Sequence, residues 1–381
     1  MRILLTTESY PPRSGGVSVV VGLLASFLFS QGHAVTVATG YANRAKTPDE
    51  GIEVLEFGIA GNWIKGLIER TPGEVKRYRE MLVDGAFDVV FQYAAQSWHV
   101  DAALQVLHNV RAAKILAPVG FSGLVGFRRR ILYLRYYEIV LPRYLREYDA
   151  LAFHSADYVD YRYAAKHFSG QMAILPLPVA LDRIPRHDLP SDVSVDTHVY
   201  NVLCVSNHQR VKGHRFAVAS VERLRKLGYD AHLTIVGNGG AGGRDCYAEC
   251  RQLAEQWPWL HLVEGVDFSG VGAYYGKADA LLISSELEYT PVVMVEAMQA
   301  GVPVVSRRVG CVESMGRAAL ADTPEMVADM LAKVLTNKDF ATLLVRENEK
   351  LSAKFDASLV LPQYDVFFRE VASRKAKSSR S

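Results

Sequence analysis

The 381-residue chain carries 43 Lys and Arg against 41 Asp and Glu, with 49% hydrophobic and 22% charged residues. That length calls for two or three domains of roughly 100–200 residues each. A net charge of +2 excludes an acidic disordered chain and gives no basic footprint for nucleic acid.

The opening reads as a β-α-β unit: a short apolar strand at 3–7, a Pro- and Gly-rich loop at 8–16, a helix at 17–31 and a strand at 34–38. The start lacks the pattern of a secretory leader. The uncharged helix falls short of the roughly 20 residues needed to span a bilayer, so it reads as a core helix. Gly15 and Gly16 place backbone N–H groups near the helix start, which makes either an anion site or a tight turn without a ligand. Further short apolar strands are expected at 54–57, 89–92, 114–118 and 150–154, as in a parallel sheet covered on both faces. A Pro-, Asp- and Ser-rich stretch at 176–199 reads as a linker.

The second half restarts the pattern, with strands at 199–205, 232–236, 261–264, 280–284 and 303–306 and a buried helix at 292–300. The fold class expected is α/β, two Rossmann-like doubly wound domains facing a central cleft. The boundaries expected are an N-terminal domain at 1–180, a linker at 181–198 and a C-terminal domain at 199–355. A C-terminal helix is expected at 356–372, which the family resemblance described below implies crosses back to the first domain, and a disordered basic tail is expected at 373–381.

Three constellations could carry chemistry. In SELEYTPVVMVEAM (285–298), Pro291 suits a first helical turn, so free N–H groups from Thr290 through Val292 to Met294 should face the strand-end crevice. Glu296 is a carboxylate on an apolar helix and needs donors there: ligand hydroxyls, or an internal Arg307 or Arg308. Glu288 reaches the same crevice. In the loop at 206–214, Arg210 and Lys212 could neutralise a diphosphate, or form a solvated turn. Gly237-Asn238-Gly239-Gly240-Ala241-Gly242, with Glu264 some twenty residues on, has the spacing of a dinucleotide fingerprint. It follows the second strand of its domain rather than the first, which counts against a nicotinamide or flavin enzyme.

Four cysteines (Cys204, Cys246, Cys250, Cys311) are too few and scattered for a disulfide framework, which favours a reducing compartment. Cys246 and Cys250 could share a helix face. No second pair or nearby histidine in the sequence completes a zinc set, so no metal is expected.

Together these segments resemble the retaining, nucleotide-sugar-dependent glycosyltransferases of the GT-B fold, family 4 type (glycosyl transferases group 1). The likeness rests on EYTPVVMVEAMQAGVPVV (288–305), with its two glutamates separated by seven residues. VKGH (211–214), SYPPRSGGV near the N-terminus, QGHAVTVAT (31–39) and AILPLPVALDRI (173–184) add to it, in the family's order. The resemblance implies a metal-independent hexosyltransferase of polysaccharide biosynthesis that needs no cofactor, because a nucleoside-diphosphate sugar is the donor substrate. It implies that Glu296 binds the ribose, Glu288 contacts the transferred sugar, and Lys212 with the N–H groups around Thr290, Pro291 and Val292 holds the diphosphate. Gly15 and Gly16 would let the N-terminal loop approach the donor, and Arg210 and Glu264 complete the expected donor set. The catalytic residues expected are Glu288, Lys212 and His99.

Two positions depart from the family. Asn207 stands where an arginine is usual, with Arg210 as a substitute in the same loop. Val119 stands where a histidine is usual, with His99 as a substitute projecting into the cleft, or as a loop residue with a structural hydrogen bond. The missing histidine keeps a non-catalytic GT-B-like subunit, binding a partner glycosyltransferase or glycan, as the alternative.

The segment 126–148 holds six arginines (Arg128, Arg129, Arg130, Arg135, Arg143, Arg146) against Glu138 and Glu147, interleaved with aromatics. It fits an anionic bilayer surface, a groove for a glycan or lipid-linked acceptor with Tyr133, Tyr136 or Tyr137 stacking on sugar, or an ordinary amphipathic helix. The expected location is cytoplasmic, extending to the inner face of the membrane, with no nucleic-acid partner.

Overall fold

The computed structural model describes residues 1–11, 15–40, 51–63, 65–121, 124, 133–186, 199–239, 244–266 and 268–378. The chain forms two compact units: 1–178 together with 357–381, and 179–356.

The first unit holds β1 (Arg2–Thr6), α1 (Gly16–Ser30), β2 (Ala34–Gly40), β3 (Glu53–Phe57), the hairpin β4 (Ile59–Asn62) and β5 (Gly66–Glu69), and α2 (Glu74–Asp84). It continues through β6 (Val89–Tyr93), α3 (Trp98–Ala103), β7 (Ala113–Ala117), a π-helical turn (Tyr136–Val140) running into α4 (Leu141–Leu145), β8 (Ala150–Phe153), α5 (Val159–His167) and β9 (Gln171–Ile174). Seven strands pair in the order β3-β2-β1-β6-β7-β8-β9, every pair parallel. Strands β6, β7 and β8 are buried along their whole length, which is why their sequences read as apolar runs without alternation.

The second unit holds β10 (Tyr200–Val205), α6 (His214–Lys226), β11 (Ala231–Val236), α7 (Arg244–Gln256), β12 (Leu260–Val263), α8 (Phe268–Tyr275), β13 (Ala280–Ile283) and α9 (Val292–Ala300). It ends with β14 (Val304–Ser306), α10 (Val312–Met315), β15 (Ala319–Leu320), α11 (Pro324–Thr336) and α12 (Lys338–Ser352). Its parallel sheet runs β12-β11-β10-β13-β14-β15, with a switch point between β10 and β13. The glycine turn at 237 therefore follows the second strand of this sheet, and Gly240–Gly242 lie outside the described residues.

The last helix, α13 (Ala357–Ser378), belongs to the first unit. Phe368 lies on Phe91 with ring centroids 4.9 Å apart, and Asp365 meets His33 Nε2 at 2.9 Å. The chain enters and leaves the second unit side by side, where Val179 N–H donates to Phe355 O at 2.8 Å.

Three expectations need correction. The first unit ends at 178 rather than 180. Residues 179–186 fold with the second unit, burying Leu181 and Ile184, so the linker does not begin at 181; residues 187–198 lie outside the described residues. The tail expected to be disordered from 373 continues α13 to Ser378, because Arg374 donates to Gln171 Oε1 and Lys375 pairs with Asp149. Among the described residues no helix is long and apolar enough to cross a membrane.

Candidate functional site

The site is built at the C-terminal ends of β10 and β13. After β10 the chain makes a 3-10 turn, Arg210–Lys212, and enters α6 through Gly213 at φ +68°. Only glycine fits there, since a Cβ would lie 2.2 Å from Ser284 O. That close approach knits two loops together: Ser284 Oγ donates to Lys212 O at 2.9 Å and Glu286 N–H to Val211 O at 2.8 Å.

Lys212 and Glu288, 76 residues apart, meet on this frame, with Nζ 2.8 Å from Oε1. Ser285 Oγ donates to the same oxygen at 2.6 Å. Both charged side chains are mostly buried, at 25% and 13% exposure, so the pair carries more electrostatic weight than a surface bridge. Gly310, at φ +55°, packs against the carbonyls of Glu288 and Tyr289 and lets Cys311 N–H tie the loop at Tyr289 O, 2.8 Å away.

Pro291 sits just before α9 rather than inside it, with φ −68°. Its carbonyl accepts the Met294 N–H at 3.1 Å. Met294 therefore leaves the set of donors expected over Thr290–Met294, and the Val292 and Val293 N–H groups open the helix. Thr290 and Val292 are half-buried beside them.

Glu296 lies one turn further along α9, 5% exposed. Tyr275 OH donates to its Oε2 at 2.6 Å, and burial pushes the carboxyl up to about 7. The internal-arginine alternative is not realised. Arg307 lies over the Phe216 ring at 4.6 Å and Arg308 pairs with Asp322 and Glu313. The second Glu296 oxygen has no hydrogen bond among the described residues, so it keeps acceptor capacity. Tyr275 was missed by sequence reading, because one tyrosine in an apolar helix carries no spacing signal.

The remaining expected residues lie elsewhere or do other work. Arg210 turns to solvent and pairs with Glu249 at 2.8 Å, so it does not join Lys212. Asn207 Oδ1 accepts the Asn238 N–H, a turn-locking bond in place of the usual arginine. Glu264 is exposed and accepts the Gly239 N–H at 2.8 Å, which fastens the glycine turn to the end of β12. In the first unit, Gly15 (φ +148°) precedes α1 and Gly16 begins it. His99 is the clearest correction: it is fully buried behind β6 rather than projecting, with Nδ1 2.8 Å from Thr6 Oγ1. Burial lowers it to about 3, so it is a neutral, internally bonded imidazole. Val119 holds φ +53° and Gly120 N–H donates to Asp160. Tyr136 and Tyr137 are buried and cannot stack on sugar, whereas Arg135, Arg143 and Arg146 are exposed with Leu134 and Ile139. Arg128, Arg129 and Arg130 lie outside the described residues.

The family model described as glycosyl transferases group 1 matches residues 199–337, the span that contains Lys212, Glu288 and Glu296. The match is confined to the second unit, whose sequence is similar to that family. Over 375 residues the chain is 24% identical to a GDP-mannose-dependent alpha-(1-6)-phosphatidylinositol monomannoside mannosyltransferase of Mycobacterium tuberculosis, covering 90% of this chain and 91% of the relative. Its structure is similar to sucrose-phosphate synthase from Thermosynechococcus elongatus, with a TM-score of 0.79 at 16% identity, covering 98% and 99% of the two chains. HepE from Anabaena in complex with UDP and glucose matches with a TM-score of 0.72 at 16% identity, covering 97% of this chain and all of that one. The glycosyltransferase fold expected from sequence, GT-B with two Rossmann-like domains, is the fold these likenesses show.

Proposed function

We propose that the chain is a retaining glycosyltransferase that moves a sugar from a nucleoside-diphosphate sugar to a glycan or lipid-linked acceptor. The observation that carries this reading is the cluster of Lys212, Ser285 and Glu288 beside the α9 N-terminus, with the half-satisfied carboxylate of Glu296 one turn away. Lys212 and the Val292 and Val293 N–H groups hold the diphosphate, Glu296 accepts ribose hydroxyls, and Glu288 contacts the transferred sugar. The anomeric C–O bond to phosphate breaks with its electron pair leaving on the diphosphate. The acceptor oxygen bonds to the same face of that carbon, and its proton leaves to a phosphate oxygen. The ammonium and helix N–H groups stabilise the charge on the leaving group, so transfer proceeds without added Mg2+ or Mn2+.

The mycobacterial relative's name specifies a GDP-mannose donor and a phosphatidylinositol monomannoside acceptor, which supports a lipid-linked acceptor here. HepE is described in complex with UDP and glucose, which supports a nucleoside-diphosphate donor here. The exposed Leu134, Arg135 and Ile139 face supplies contact with an anionic membrane. Co-sedimentation should show more protein on anionic than on neutral vesicles, and equal partitioning would remove the membrane contact.

Isothermal titration with GDP, UDP and ADP tests the donor site. Saturable binding of at least one, weakened by Lys212→Met, is expected. The second reading, a non-catalytic GT-B-like subunit, is favoured by the burial of His99 and by Val119 at the histidine position. Absence of binding to every nucleotide would select it.

A further inference from the structure

The turn that carries Lys212 is bounded by two histidines, and folding brings both to the cysteines of α7. His208, His214, Cys246 and Cys250 are all buried, and their ligand atoms lie within 4.8 Å of one another. His214 Nδ1 is 3.4 Å from Cys246 Sγ. Tetrahedral zinc, with bonds of about 2.0 Å to nitrogen and about 2.3 Å to sulfur, sets such a pair about 3.5 Å apart. The other His214 nitrogen, Nε2, is 2.8 Å from Ser206 Oγ, an outer bond that fixes the ring and leaves Nδ1 to ligate.

His208 supplies an independent indication. It is fully buried, its ring centroid lies 4.5 Å from that of His214, and neither of its ring nitrogens has a hydrogen-bond partner. Buried polar atoms are rarely left so, and a Lewis acid would satisfy one of them. Cys246 and Cys250 stand one helical turn apart on the buried side of α7, and both thiols are free.

We propose that His208, His214, Cys246 and Cys250 form a closed tetrahedral site for one Zn2+ ion, which fastens the strand-end turn at 206–213 to α7. Two imidazole nitrogens and two thiolates are the donor set that selects zinc over harder cations, and four protein ligands leave no open position for catalysis. On binding, each thiol loses its proton to solvent, so one ion releases two protons and the occupied site is electrically neutral. The sequence does not display this grouping because its two halves, His208 with His214 and Cys246 with Cys250, lie more than thirty residues apart. This site shares no side chain with the proposed donor site, so it stands whether or not that function holds.

The full chain, stripped by a chelator, should bind one Co2+ with the visible spectrum of a tetrahedral site and a thiolate charge-transfer band. Zn2+ should displace it, release two protons per ion and raise the thermal midpoint. The Cys246→Ser/Cys250→Ser double variant should lose the spectrum. His261→Asn, which breaks the exposed 2.9 Å contact between His232 and His261, should keep it. A spectrum that survives the double variant, or that vanishes in His261→Asn, would overturn the proposal. If the double variant does not fold, the wild-type protein decides: an octahedral spectrum, or no proton release at one equivalent, refutes the site.

Discussion

The two units share a parallel doubly wound sheet yet finish their strand ends differently. In the first unit, left-handed backbone falls on non-glycine residues as well as glycines: Ala86 (φ 49°) before β6, and Ala94 (φ 76°), Gln96 (φ 60°) and Val119 (φ 53°) after β6 and β7. Each such non-glycine residue costs about 1–3 kcal/mol unless its surroundings hold it. In the second unit, among the described residues, positive φ is confined to glycines such as Gly213, Gly265 and Gly310. Ionisable groups follow the same division. His99, Asp101 and Asp160 are buried and bond within the first unit, and His99 Nε2 and Asp101 Oδ1 have no hydrogen-bond partner among the described residues. Lys212, Glu288 and Glu296 keep partial access or spare acceptor capacity at the second unit's crevice. Sheet topology alone therefore does not locate a binding site. What separates the units is access: the Lys212–Glu288 pair of the second is part-exposed, whereas His99, Asp101 and Asp160 of the first are sealed.

The strongest way to break this contrast is at Lys212. Lys212→Met should lower the transfer rate per folded molecule by about 10²- to 10³-fold, the loss typical of removing one group that stabilises a developing anion, and should lower the unfolding midpoint because the mostly buried Glu288 loses its cation. Radiolabelled sugar transfer at saturating donor measures it, and an unaltered rate would show that the paired ammonium is only structural.

His99→Ala should do the reverse. It leaves Thr6 Oγ1 unpaired and opens a cavity, costing about 2–4 kcal/mol in denaturant unfolding, while transfer per folded molecule stays close to wild type. Because the fold holds His99 below its usual value, at about 3, its contribution to stability is present above pH 6.5 and is lost as pH falls through about 3. A large loss of turnover with an unchanged midpoint would return His99 to the catalytic set.

Glu296→Gln should weaken donor binding about tenfold, near 1.4 kcal/mol, since the amide keeps the shape but loses charge-assisted acceptance. The carboxyl is raised to about 7, so its stabilising contribution is complete below pH 4.5 and is lost as pH rises through about 7. Donor affinity should climb over that same upper range, as the ionised form becomes the acceptor. Calorimetric titration between pH 6 and 8 checks both effects, and a variant as pH-dependent as wild type would exclude Glu296 as the titrating group.

Much of the architecture was legible because local patterns and burial agree. The expected strands at 89–92 and 150–154 lie within a residue of the observed β6 and β8, and the expected helix at 292–300 matches α9. The hairpin of β4 and β5 and the strand β9 were not anticipated, being short and only partly buried. The ends of α13 were misjudged because its basic last turns resemble a solvated tail until Lys375 finds Asp149.

The amino-acid order by itself determined the alternation of strand and helix, the placement of Lys212, Glu288 and Glu296 at strand and helix termini, and the resemblance those residues carry. These depend on periodicity and on neighbours along the chain, which a sequence displays directly. Only tertiary structure decided which charges meet: that Tyr275 rather than an arginine answers Glu296, that Arg210 turns to Glu249, that His99 is sealed behind β6, and that His208 and His214 reach Cys246 and Cys250. Such contacts join residues tens of positions apart, and their energies exist only once the intervening chain has folded and excluded water.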